Sequence, residues 1–174
     1  MATLSAFISI PAAYLAFRLE RNTATAALIC MGCLHMFGTL LFVLIARYMK
    51  KLLNMQFAFH STDRQINLMI MANVVSGALA LTGVLFPPLK ASLGLASMIV
   101  IIFQGVAQIQ FGYKLQQLPD NLDGILKPFC YSNIATGICI ASVVFIIVAV
   151  VVSAISDLMI GTIFFNVAML KRKP

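Results

Sequence analysis

Residues 65–89 read QINLMIMANVVSGALALTGVLFPPL, a stretch of 25 residues that has no charged side chain and ends beside two prolines. A helix that spans the hydrocarbon core of a bilayer needs about 20 predominantly apolar residues. Proline ends such a helix because it lacks the amide hydrogen that a helix interior uses. Thr62, three residues before the stretch, and Gln65, its first residue, have the spacing of a capping box, which marks a helix start. The stretch therefore predicts one transmembrane helix with defined ends.

The composition of the whole chain agrees with this local prediction. Of 174 residues, 61% are hydrophobic and 10% are charged, and the mean hydropathy is +1.01. A soluble domain is usually about 45–50% apolar and about 25% charged. Too little polar surface is left to cover a water-soluble core, which excludes a soluble enzyme, a disordered chain and a nucleic-acid-binding domain despite the net charge of +7. We expect a single-domain integral membrane protein of the plasma or inner membrane.

Charge-free runs place the other helices of an all-α bundle. We predict six transmembrane helices, at about 2–17, 23–46, 65–87, 91–113, 129–152 and 156–170. The last two share a 43-residue run with one charge, Asp157, and its stretch 142–156 has no Gly or Pro to mark a turn. We therefore place the break at Ser153, Ser156 and Asp157, with Ser156 or Asp157 capping the last helix. Five or four spans remain as alternatives, because the first and last runs are short.

The distribution of basic residues favours six crossings with both termini on the cytoplasmic side. Cytoplasmic loops carry an excess of Lys and Arg. With six crossings the outer segments hold three basic residues, Arg18, Arg21 and Lys90. The inner segments then hold nine, which are Arg47, Lys50, Lys51, Arg64, Lys114, Lys127, Lys171, Arg172 and Lys173. The segment 48–60 mixes lysines with apolar side chains, which is typical of a segment beside anionic headgroups.

Polar side chains inside the predicted spans are the candidate ligand-binding residues. Asn73 lies on a helix face of small residues, Gln104 and Gln108 are one helical turn apart, and Asn133 begins a similar stripe in the fifth span. Each of them can form a hydrogen bond to a neighbouring helix or line a path for a polar solute. Both interpretations remain open for each residue.

Asp157 completes this candidate set. A carboxylate inside a membrane is costly to bury and needs a partner or a water-filled cavity, so it is a candidate functional group by default. The alternative is a helix cap at the outer interface, where a negative charge suits the positive helix end. The predicted spans contain no second carboxylate, so we assign no catalytic residue.

The cysteines suggest a metal or redox site that helix geometry does not support. Cys30, Cys33 and His35 are close in sequence. On one helix, however, His35 lies about 200° around from Cys33, so the three cannot bind one ion unless the helix breaks. We expect free thiols with a packing role, and we assign no metal and no cofactor.

Three functions fit these observations. The first is a small transporter, channel or membrane-embedded solute-binding protein whose polar faces line a path. The second is an accessory or scaffolding subunit of a larger membrane complex, which the small-residue faces and short loops favour. The third is a membrane redox or quinone- or lipid-modifying enzyme that uses Cys30 and Cys33. The expected partners are the lipid bilayer and either further copies of the chain or other membrane subunits, with no nucleic acid.

Overall fold

The computed structural model describes Tyr14 and residues 25–118, 124–142 and 145–170. These residues form five α-helices and one short 3-10 turn. The helices are α1 (Thr25–Phe57), α2 (Asp63–Leu85), α3 (Lys90–Leu115), α4 (Leu126–Ala141) and α5 (Ile146–Leu170). All but α4 contain a segment long and apolar enough to cross a membrane. The predicted all-α membrane bundle is thus confirmed as a class. The helix predicted over residues 2–17 lies outside the described residues, Tyr14 excepted.

The middle helices begin and end close to their predicted positions. Helix α2 starts directly after Thr62, but the Thr62 side chain makes no capping hydrogen bond. The predicted capping box therefore marks the right position without its characteristic contact. After Leu85 the chain turns through the 3-10 segment Pro87–Leu89, and α3 starts at Lys90. The two prolines end α2 as their chemistry requires.

Helix α1 is longer than the span predicted for it. Its 33 residues extend about 50 Å, well beyond a hydrocarbon core about 30 Å thick. It continues past Arg47, Lys50 and Lys51 and ends at Phe57, rather than near residue 46. Lys and Arg are good helix formers, so the charges mark where the helix leaves the hydrocarbon and do not end it.

The predicted division of the last hydrophobic run is wrong. Helix α4 ends at Ala141, about eleven residues before the predicted end at 152, and α5 runs without a break from Ile146 to Leu170. Ser153, Ser156 and Asp157 therefore lie inside α5, and neither Ser156 nor Asp157 caps it. The division falls instead between Ala141 and Ile146, and the hydroxyl of Ser142 donates a hydrogen bond to the carbonyl of Cys139 (2.9 Å).

Each helix packs against its neighbours in sequence in an antiparallel arrangement. The closest contact joins α3 and α4. A Cβ atom on Gly105 would lie 2.7 Å from the backbone nitrogen of Ala141 and 2.7 Å from the carbonyl oxygen of Gly137. Only glycine allows the two backbones to approach so closely, a device common in membrane helix pairs. We call this contact, formed by Gly105, Gly112 and Gly137, the glycine seam.

The bundle has two unlike halves. The basal half contains the C-terminal ends of α1, α3 and α5 and the N-terminal ends of α2 and α4. It holds most of the buried side chains, among which Leu53, Ile66, Leu115, Phe129 and Cys130 are almost fully covered. The distal half contains the opposite helix ends. Of the side chains described within 29–40 and 70–104, none is buried.

Candidate functional site

A cavity of about 290 Å³ lies between the helices where the basal packing opens. All five described helices contribute to its wall. Four of the five predicted ligand-binding residues line it, namely Asn73 from α2, Gln108 from α3, Asn133 from α4 and Asp157 from α5. The fold thus brings together polar side chains that are as many as 84 positions apart in the chain, from 73 to 157.

The cavity wall has an apolar side and a polar side. Helix α1 contributes only apolar side chains and one glycine, between Leu34 and Met49, which spans about 22 Å along the helix axis. The polar groups come from α2 to α5, and they are six of the lining residues: Asn73, Gln108, Asn133, Ser153, Ser156 and Asp157. No Lys, Arg or His occurs among the lining residues of the described part of the chain. The cavity is therefore elongated and amphipathic.

Asn133 is the best-anchored polar residue of this wall. Its side chain is buried, and its Nδ2 donates to the carbonyl of Phe129 one turn earlier in α4 (2.9 Å). Its Oδ1 accepts a hydrogen bond from Nε2 of Gln108 (3.3 Å). The glycine seam between α3 and α4 allows this contact by holding the two backbones together. Two predicted residues are thus linked in one interhelical hydrogen bond whose atoms border the cavity.

Asn73 differs from Asn133 because one of its polar atoms is unsatisfied. Its Oδ1 is buried and has no hydrogen-bond partner within the described part of the protein. A buried acceptor without a donor costs about 1–3 kcal/mol. Because Asn73 lines the cavity, a hydroxyl or amide donor of a bound molecule could satisfy this atom.

Ser153 and Ser156, predicted from the sequence to lie in a turn, also belong to the cavity wall. Ser156 is buried, and its Oγ lies 2.7 Å from Oγ of Ser132 on α4. The hydroxyl pair fastens α5 to α4 beside the cavity. A signal was present in the sequence, because Ser153, Ser156, Asp157 and Ile160 recur at helical spacing and so share one face. All four line the cavity.

Gln104 does not belong to this group. It lies one turn from Gln108 towards the distal end of α3, and it is partly exposed and absent from the cavity wall. The two glutamines were predicted to act together, but the structure places only Gln108 at the cavity.

The cysteines lie apart from the cavity. The thiols of Cys30, Cys33, Cys130 and Cys139 are all free, and Cys30 and Cys33 are exposed on the surface of α1. This exposure gives Cys30 and Cys33 no packing role within the described part of the bundle. Among the described residues, no group of three or more His, Cys, Asp or Glu side chains could hold a metal ion.

Comparisons of the chain with models of protein families, with curated proteins and with solved structures give no match. The fold and the cavity are therefore the basis for an assignment of function.

Proposed function

We propose that this protein binds a small amphiphilic molecule within the membrane and acts as a transporter, a channel-like protein or a membrane-embedded solute-binding protein. One observation carries the proposal: Asn73, Gln108, Asn133 and Asp157, from four different helices, line one cavity. Binding pockets for small molecules are usually mostly apolar clefts with a few convergent polar groups. This cavity has that composition.

The two sides of the wall suggest the chemistry of the ligand. The apolar side on α1 matches an elongated hydrocarbon or ring system. The amides and hydroxyls on the opposite side can donate and accept hydrogen bonds. The unsatisfied Oδ1 of Asn73 can accept a hydrogen bond from a donor on the ligand. The carboxylate of Asp157 adds a further hydrogen-bond acceptor to this polar side. We therefore expect an amphiphile with at least one N–H or O–H group.

Gln108 and Gln104 provide a matched test of this proposal. Both lie on α3 one turn apart, but only Gln108 lines the cavity. The protein is purified in mild detergent, and co-purified small molecules are extracted and quantified by mass spectrometry. We expect wild type and Gln104→Leu to retain the same molecule, and Gln108→Leu to lose most of it while the protein stays folded.

Two results would contradict the proposal. Equal retention by Gln108→Leu and wild type would show that the cavity wall does not bind the retained molecule. Wild type without a retained small molecule but with stable partner subunits in native mass spectrometry would favour the accessory-subunit function instead.

We further propose six crossings with both termini on the cytoplasmic side of a plasma or inner membrane. The nine-to-three distribution of basic residues supports this topology, and the corrected ends of α4 and α5 leave it unchanged. Helix α4 has 16 residues and spans about 24 Å, so this topology requires its flanking turns to lie within the interface. Single cysteines at positions 90 and 173, in a cysteine-free background, should react oppositely with a membrane-impermeant maleimide. Labelling of both positions from the same side would remove one crossing.

A further inference from the structure

The basal end of the bundle carries a cluster of basic side chains on adjacent helices. Arg47, Lys50 and Lys51 are three and four positions apart, so they share one side of α1. Nζ of Lys50 donates to Oδ1 of Asn67 on α2 (3.0 Å), so Lys50 reaches α2 while Arg47 and Lys51 remain exposed on α1. Arg64 lies one turn before Asn67 and is exposed beside it. We call the surface formed by Arg47, Lys50, Lys51 and Arg64 the basic groove.

The positive charge of the basic groove is not neutralised within the described part of the protein. Arg47, Lys51 and Arg64 are exposed, and none of them forms an ion pair there. The neighbouring carboxylate is that of Asp63. It accepts two hydrogen bonds from Nδ2 of Asn54 (3.0 and 3.1 Å) and lies 3.6 Å from Nδ1 of His60. The groove therefore offers several unpaired cations to an anionic group.

Exposed aromatic side chains place the groove at the membrane surface. Tyr48, Tyr113 and Tyr131 lie on three different helices of the basal half, and each is about 60% exposed. Tyrosine is enriched at membrane–water interfaces, where its hydroxyl meets the headgroups and its ring meets the acyl chains. One turn deeper on α2, Met71 is 66% exposed and extends the surface as an apolar face. A molecule in the groove would thus meet cations at one end and an apolar helix surface at the other.

We propose that the basic groove binds the headgroup phosphate of an anionic phospholipid from the surrounding leaflet. The guanidinium groups of Arg47 and Arg64 can each bind phosphate oxygens in a bidentate manner, and the lysines add point charge. The acyl chains lie along the apolar surface of α2. Free inorganic phosphate would meet the same cations but would leave Tyr48 and Met71 without a role. This inference does not depend on the proposed ligand of the cavity.

The test compares two variants that each lose three positive charges. Arg47→Gln/Lys51→Gln/Arg64→Gln removes three charges from the groove and keeps the Lys50–Asn67 hydrogen bond. The control Arg18→Gln/Arg21→Gln/Lys90→Gln removes three charges from the segments predicted on the opposite side. Native mass spectrometry follows binding of phosphatidylglycerol and phosphatidylcholine to each protein in detergent.

We expect wild type and the control to bind phosphatidylglycerol in preference to phosphatidylcholine. The groove variant should bind phosphatidylglycerol about 100-fold more weakly, since each basic side chain near an anionic surface contributes about fivefold. Equal affinities of the groove variant and the control would overturn the proposal, and so would equal binding of the two lipids by wild type. Displacement of the lipid by millimolar inorganic phosphate would show that the groove binds phosphate without selecting a lipid.

Two further measurements keep the proposal testable if the triple variant does not fold. Arg64→Gln alone should weaken phosphatidylglycerol binding about fivefold, and Arg64→Lys should restore most of it. Binding to wild type should also weaken as sodium chloride is raised, because exposed charges are screened by salt. Lipid binding that is independent of salt and of Arg64 would exclude the basic groove as the binding site.

Discussion

The basal and distal halves of this bundle are built from the same kind of apolar residue but are packed differently. In the basal half, Leu53, Ile66 and Phe129 are at most 1% exposed. In the distal half, side chains of the same type such as Leu95 and Phe103 are nearly 70% exposed. Lipid tails are as apolar as leucine, so apolar side chains in a membrane gain little from mutual burial alone. Close packing in the basal half therefore depends on how well the side chains of neighbouring helices fit one another. The cavity lies where that packing stops.

The largest difference between the halves should appear when a large side chain is removed. Phe129→Ala leaves a void in the basal core and should lower the free energy of unfolding by about 3–5 kcal/mol. Phe103→Ala should change it by less than about 0.5 kcal/mol, because Phe103 is mostly exposed. Unfolding of both variants in mixed detergent and SDS measures the difference. If both variants lost a similar free energy of unfolding, Phe103 would be covered by further protein and not by lipid or detergent.

Adding one methyl group at the glycine seam should also lower the free energy of unfolding. In Gly137→Ala the new Cβ would lie 2.7 Å from the carbonyl oxygen of Gly105 and 2.9 Å from the backbone nitrogen of Ile109. Backbone atoms cannot move aside cheaply, so we expect a loss of about 1–3 kcal/mol. Gly94→Ala in the distal half meets no atom within 4 Å and should be neutral or stabilising by up to about 1 kcal/mol.

Thermal melts of the two alanine variants in one detergent provide the comparison. A stable Gly137→Ala protein would show that α3 and α4 are farther apart than the structure has them. The Gln108–Asn133 hydrogen bond would then need another explanation.

The smallest expected effect concerns a hydroxyl contact at the cavity. The Oγ atoms of Ser132 and Ser156 lie 2.7 Å apart on different helices. A double-mutant cycle of Ser132→Ala and Ser156→Ala should give a coupling free energy of about 0.6 kcal/mol, the average for interhelical hydrogen bonds in membranes. Thr82→Ala is a suitable distal control, because the hydroxyl of Thr82 donates within its own helix to the carbonyl of Ala78 (2.8 Å). A coupling free energy of zero would show that the two serine hydroxyls form no hydrogen bond between α4 and α5.

Prediction from sequence succeeded where a residue type acts locally. The charge-free run 65–89 and its two prolines predicted α2 to within a few residues, because proline ends a helix whatever surrounds it. The run 91–113 predicted α3 equally well. Asn73, Gln108, Asn133 and Asp157 were singled out because polar groups are rare and costly inside apolar helices. That they line one cavity required the fold.

The sequence by itself determined that this is an all-α membrane protein and which polar side chains it carries inside its helices. Only the tertiary structure decided where the last hydrophobic run is divided. After Pro128, residues 129–156 contain no proline and no charged side chain. A helix is therefore stable at nearly every position, and local chemistry does not decide where the run is divided. Packing selects the division between Ala141 and Ile146, because this division lets Ser156 meet Ser132 and places Asp157 at the cavity. Packing likewise separates Gln108 from Gln104, since the glycine seam brings Gln108 to Asn133, and among the described residues Gln104 makes no such contact.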